Sequence, residues 1–138
     1  MIDWYKKVMI KNYANFSGRA RRSEYWYFVL MNVVVIVFLV ILYLCMLTVS
    51  ETLGGVFLGA LLLYFLIIII PSLAVIVRRL HDINKSGWYY FVRFIPVAGP
   101  IWLLILLCTD GTAGNNGYGK DPKQEFDEIN EIGMESLD

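Results

Sequence analysis

YWYFVLMNVVVIVFLVILYLCMLT, residues 25–48, is the stretch that decides the fold. It carries no formal charge, and Asn32 is its only strongly polar interior residue. A hydrocarbon core about 30 Å thick needs about 20 helical residues at 1.5 Å each, so this run is long enough to cross. Tyr25, Trp26 and Tyr27 stand at its entrance, as aromatic rings do at a membrane interface.

Two more apolar runs follow. Residues 56–77 form the second, after a short turn at 49–55. Gly54, Gly55 and Gly59 near its start permit close helix approach, and Pro71 is expected to bend its far end. Ile67 to Ile70 are β-branched and favour a strand in water. In lipid an isolated strand leaves its backbone unpaired, so a helix is expected. Residues 88–108 form the third run, which contains Arg93, with Pro96 and Pro100 bracketing Val97-Ala98-Gly99. Either one kinked helix crosses the membrane, or two half-length helices return to the same side as a re-entrant hairpin. The length of the run favours crossing, which puts the tail outside.

Composition agrees with a membrane chain. Of 138 residues, 58% are hydrophobic and 17% charged, against about 45–50% and about 25% in soluble domains. The net charge is zero but unevenly spread. Lys6, Lys7, Lys11, Arg19, Arg21 and Arg22 make a basic head, and residues 123–138 an acidic tail expected to be mobile. Ile2, Tyr5, Met9, Tyr13 and Phe16 recur at helical spacing, predicting an amphipathic interfacial helix over 2–16 rather than a signal peptide. The expected fold is therefore all-α. It is a polytopic membrane helix bundle of about three transmembrane segments, the third kinked or re-entrant, in one membrane domain over 1–122.

Lys and Arg near span ends mark the cytoplasmic side. The head and the 78–87 connection are basic while 49–55 has none, so the N-terminus is expected in the cytoplasm. Cys45 and Cys108 lie inside apolar runs and read as packing residues. One histidine and two such cysteines argue against a metal site. No basic–aromatic array suggests nucleic acid, and no cofactor motif is present.

Three polar clusters remain. The first is Arg19, Arg21, Arg22 and Glu24; the second is Arg78, Arg79, His81 and Asp82; the third is residues 115–122. Arginine forks suit phosphate, so Arg19, Arg21, Arg22, Arg78, Arg79 and Arg93 are candidate ligands for an anionic headgroup. The competing reading makes them topological anchors that snorkel to the interface. Glu24 is expected to pair with an arginine. Adjacent helical residues diverge by about 100°, so His81 and Asp82 read as structural rather than catalytic. Gly114 to Lys120 resembles a phosphate loop only loosely, because Asp121 stands where Ser or Thr belongs.

Taken together, these motifs resemble the bacterial inner-membrane family of domain of unknown function 805. The matching residues are Trp4-Tyr5, Asn12-Tyr13 and the stretch from Phe16 to Trp26. Pro71 to Val75, Val77 to Asp82, Ser86-Gly-Trp88, Ile95-Pro96, Gly99 and Gly111 to Pro122 continue the match. Asn116-Gly117 departs from it, since the family usually has a basic residue between Asn and the aromatic. The resemblance implies a multi-pass inner-membrane protein and supplies no reaction. The functional expectation is a non-enzymatic protein acting on anionic membrane lipids, on itself or on another membrane protein. The alternative is an oligomeric transporter or channel component built around Arg93, Asn32 and the broken third segment.

Overall fold

The computed structural model describes residues 5–124. Helix α1 covers Arg22–Val49 and α2 covers Glu51–Asp82, 28 and 32 residues. At 1.5 Å per residue they extend about 42 and 48 Å, each more than a bilayer core. Only Ser50, in extended conformation, separates them. The two helices run antiparallel. Leu47 lies against Gly54, Asn32 bonds Tyr64, and Glu24 meets Arg78. A Cβ on Gly54 would stand 2.8 Å from Leu47 Cδ1 and 3.1 Å from Leu47 Cα, so glycine lets the hairpin close. Gly55 and Gly59 face open space.

Pro71 sits inside α2 and cannot donate to the carbonyl of Ile67, four residues earlier. The Tyr13 hydroxyl takes that carbonyl at 2.7 Å. This bond helps explain a departure from the expected helix over 2–16. Among the described residues the N-terminal helix covers only positions 5–11, the last five as the π-helix Lys7–Lys11. Asn12 then leaves helical geometry, and Tyr13 turns toward α2. Residues 2–4 lie outside the described residues. The helix packs Val8, fully buried, against Ala20, Phe28, Ile68 and Val75.

The third run is not one kinked helix. Gly87–Phe94 is a 3-10 helix and α3 covers Ala98–Cys108. At about 2.0 and 1.5 Å per residue, 8 and 11 residues reach only about 16 Å each, half a bilayer core. Pro96 and Pro100 account for the break, since neither ring permits a continuous hydrogen-bond ladder. The turn is a strained γ-turn at Val97, with φ 64 and ψ −59, closed by Ala98 N donating to Pro96 O at 2.7 Å. Gly99 then passes so near the Val92 carbonyl that a Cβ would overlap it. The two short helices fold back on each other. Leu103 and Leu107 of α3 pack on Leu80 and Ile83 at the end of α2.

Elsewhere the apolar surface faces outward. In their most apolar stretches only 11% of α1 and 28% of α2 is buried. Val34, Phe38, Ile41 and Leu66 are all more than half exposed. Water would not tolerate that much contiguous apolar surface on a monomer. Cys45 and Cys108 are both exposed on this surface, which corrects their reading as packing residues.

Candidate functional site

Polar groups concentrate where α1 begins and α2 ends. Arg19, Arg78, Arg79, Glu24, Asp82 and Asp121 are all buried there. Three cations thus meet three carboxylates, as buried charge requires. The segment after α3, residues 109–123, lies across this end as a strap.

These six buried side chains form a polar plate centred on Asp82. Its Oδ1 accepts from Arg19 Nε at 2.9 Å, and its Oδ2 accepts from Arg79 Nη1. Its backbone carbonyl takes Thr112 N at 2.9 Å and Thr112 Oγ1 at 3.2 Å. A Cβ on Gly111 would collide with this carboxylate, so only glycine lets the strap lie so close.

Arg19 and Arg79 then bind the strap by its carbonyls. Arg19 Nη1 donates to Gly114 O at 2.6 Å and Nη2 to Thr112 O at 2.5 Å. Arg79 donates through Nε to Leu107 O at 3.2 Å and through Nη2 to Thr109 O. Leu107 and Thr109 bracket the end of α3, where helix carbonyls lack partners of their own. Arg79 therefore caps α3 from a neighbouring helix, and a cation there also suits the helix dipole.

The strap closes on itself around two side chains. Asn116 Nδ2 donates to His81 O and Thr112 Oγ1, both at 2.9 Å, while its Oδ1 accepts from Tyr118 N. Asp121 accepts from Gly114 N and Lys123 N, both at 2.9 Å. Burial pushes the Asp121 carboxyl up. The two N–H bonds and the charges of Arg19 and Lys123 outweigh it, leaving the group below its ordinary value of 3.8. The Tyr118 ring stacks on His81 at 3.9 Å and 5°, and His81 Nδ1 meets Gly18 O at 3.2 Å.

Glu24 forms a second pair beside the first. Its Oε1 accepts from Arg78 Nη1 at 2.6 Å, and its Oε2 lies 3.2 Å from Lys7 Nζ. Arg78 Nε and Nη2 are buried with no hydrogen-bond partner among the described residues. Buried donors left unpaired cost about 1–3 kcal/mol each.

The sequence profile described as "Protein of unknown function (DUF805)" matches residues 13–120. The chain belongs to the DUF805 family. It is 43% identical over 123 residues to inner membrane protein YhaI of Escherichia coli K12, covering 88% of this chain and 97% of that protein. It is 40% identical over 128 residues to inner membrane protein YhaH of the same strain, covering 90% and 99%. No solved structure matches. This DUF805 member is thus a membrane protein of an uncharacterised family whose relatives are inner-membrane proteins.

The residues singled out in this DUF805 chain are distributed unequally. Arg19, Arg79 and Asp82 share one network, and Glu24 with Arg78 another. Arg22 lies at the rim, half exposed, 2.5 Å from Asp110 Oδ1. Arg21 lines a cavity of about 200 Å³ at the same rim. Arg93 is elsewhere. It is exposed on the 3-10 helix, bonded to the Tyr90 hydroxyl and 5.1 Å from the Tyr90 ring centroid. Asp82 orients the two arginines rather than the His81 ring. Thr112, Asp110, Lys7 and Tyr13 join the site although the sequence did not single them out as site residues. A signal existed for Tyr13 alone, since a proline inside a span frees a carbonyl that some donor must satisfy.

Proposed function

We propose that this protein crosses the inner membrane twice, with residues 5–22 and the 109–124 strap both on the cytoplasmic side. On this reading it holds anionic lipid at the ion-paired end and catalyses no reaction. The one-sidedness of its cations carries the reading. All 12 Lys and Arg lie outside residues 25–77, and the opposite end of the helix pair offers only Glu51. Lys and Arg beside span ends stay in the cytoplasm and attract anionic headgroups. Residues 87–108 then dip into the cytoplasmic leaflet and return, the irregular turn at Val97 pairing its own backbone through Ala98 N to Pro96 O and Gly99 N to Ile95 O. The absence of catalysis rests on occupancy: Glu24 and Asp82 are held in ion pairs, and His81 is held by Gly18 and Tyr118.

Two measurements test this. A reporter active only in the cytoplasm, fused after Asp138, should be active, and one that needs export should be silent. The reverse pattern overturns the topology. Purified protein should carry anionic over zwitterionic phospholipid. Equal retention of the two overturns the lipid role.

A further inference from the structure

Arg78 differs from its neighbours in one respect. Arg19 and Arg79 engage all three side-chain nitrogens with Asp82 and strap or helix carbonyls. Arg78 engages only Nη1, on Glu24, although its side chain is just 3% exposed. The idle nitrogens are Nε and Nη2, which form one edge of the guanidinium plane. That edge presents two parallel N–H groups, the geometry that two oxygens of an oxyanion match.

Arg78 also lines a cavity of about 350 Å³ between the N-terminal segment and residues 118–122. Small-ligand sites run from about 300 to 1,000 Å³. Its charged lining, among the described residues, is Lys7, Arg19, Arg78 and Lys120, with no carboxylate. Asn12, Asn15 and Ser17 add neutral donors. The smaller cavity on the Arg21 side sets Asp82, Asp110 and Asp121 against Arg21, Arg22 and Lys123, so its charges balance and it offers an anion less.

We infer that the Arg78 cavity binds a phosphate group, held by the Nε–Nη2 edge and neutralised by Lys120 together with Lys7, which it shares with Glu24. A carboxylate would be satisfied by the arginine edge alone. A phosphate has further oxygens, which use the lysines and the Asn and Ser donors around them. Glu24 remains as the counter-ion that holds Arg78 in place through Nη1. The phosphate belongs either to a phospholipid headgroup or to a soluble phosphate compound; the recognition chemistry is shared. The inference rests on the lipid-binding reading above for its setting at the membrane face.

The test uses full-length protein in mild detergent with two probes, phosphatidylglycerol and inorganic phosphate. Arg78→Lys keeps the charge and removes the two-pronged edge. Lys120→Gln removes an exposed cation from the rim. Wild type should retain phosphatidylglycerol by native mass spectrometry if the source is lipid. If the source is soluble, inorganic phosphate should raise its melting temperature over chloride at equal ionic strength. Arg78→Lys should weaken whichever binding is seen by about tenfold or more, and Lys120→Gln by a few-fold. Binding of neither probe overturns the inference, and so does wild-type binding by both variants. If Arg78→Lys fails to fold, Lys120→Gln decides alone. Lipid retention that falls only when Arg21 and Arg22 become Gln overturns the cavity and leaves the lipid role standing. Phosphate binding without any anionic-lipid preference does the reverse.

Discussion

Asp82→Asn keeps the shape of the central side chain and removes its charge. In the native plate Asp82 Oδ1 and Oδ2 each take a guanidinium N–H, from Arg19 and Arg79, whose side chains are 1% and 0% exposed. The amide keeps one acceptor. Its NH₂ group must then face the other arginine, donor against donor, with a buried cation uncompensated. Removing one partner of a buried pair costs about 3–5 kcal/mol. Arg79 keeps its bonds to Leu107 and Thr109, and Arg19 keeps Gly114 and Thr112, so the lower end, about 3 kcal/mol, is expected. The loss should fall on the strap before the helix pair, because α1 and α2 meet along their whole length while residues 109–123 depend on the plate. Limited trypsin digestion at Lys120 and Lys123 should accelerate well before the helix content of the pair, followed by far-ultraviolet circular dichroism, changes. Arg19→Gln in the Asp82→Asn background should cost less than the two single changes summed, by about 1.5–3 kcal/mol, the worth of a charged hydrogen bond. The reasoning fails if Asp82→Asn lies within about 0.5 kcal/mol of wild type, the usual range for surface changes, and is cleaved at the same rate.

Three further outcomes are expected. Tyr13→Phe should cost about 1 kcal/mol by freeing the Ile67 carbonyl, and should become nearly neutral with Pro71→Ala, whose restored N–H bonds that carbonyl; paired unfolding curves check this. Gly99→Ala should open the 87–108 hairpin, because its Cβ meets the Val92 backbone rather than a movable side chain, and faster hydrogen exchange at the Ile95 and Ala98 amides, both bonded in the native turn, would report it. Asp121 has its folded carboxyl below the ordinary 3.8, so its contribution is present above that value and lost as pH falls through the lower folded one. Strap release should therefore set in below about pH 4, and Asp121→Asn should flatten that dependence in a pH series of trypsin digestion.

Much of the architecture was legible in the chain. Two charge-free runs longer than a bilayer core can hardly be anything but helices, because lipid offers no partner for an open backbone. The aromatic residues at positions 25–27 and the one-sided cations belong to the same logic. The third run was a different matter. Its 21 residues, 88–108, are enough to cross, and length favoured that reading. Crossing and returning differ only in backbone conformation near Val97, and hydropathy is blind to a turn whose residues are as apolar as its flanks. The N-terminal helix ended early for a comparable reason. Its periodicity extends to Phe16, but Tyr13 finds a better partner in the carbonyl that Pro71 leaves open.

Sequence alone determined that two segments are apolar over a bilayer's depth, and which charged residues gather outside them. Both follow from solvation, which depends on residue type and run length. Only the tertiary structure decided which charges meet. Arg19 and Asp82 are 63 positions apart, and Arg19 and Gly114 are 95 apart. Their pairing depends on the 87–108 hairpin returning the strap to the end where α1 starts. Had that run continued as one helix, Asp82 would have kept its arginines and lost the strap, and the cavity beside Arg78 would lack one of its walls.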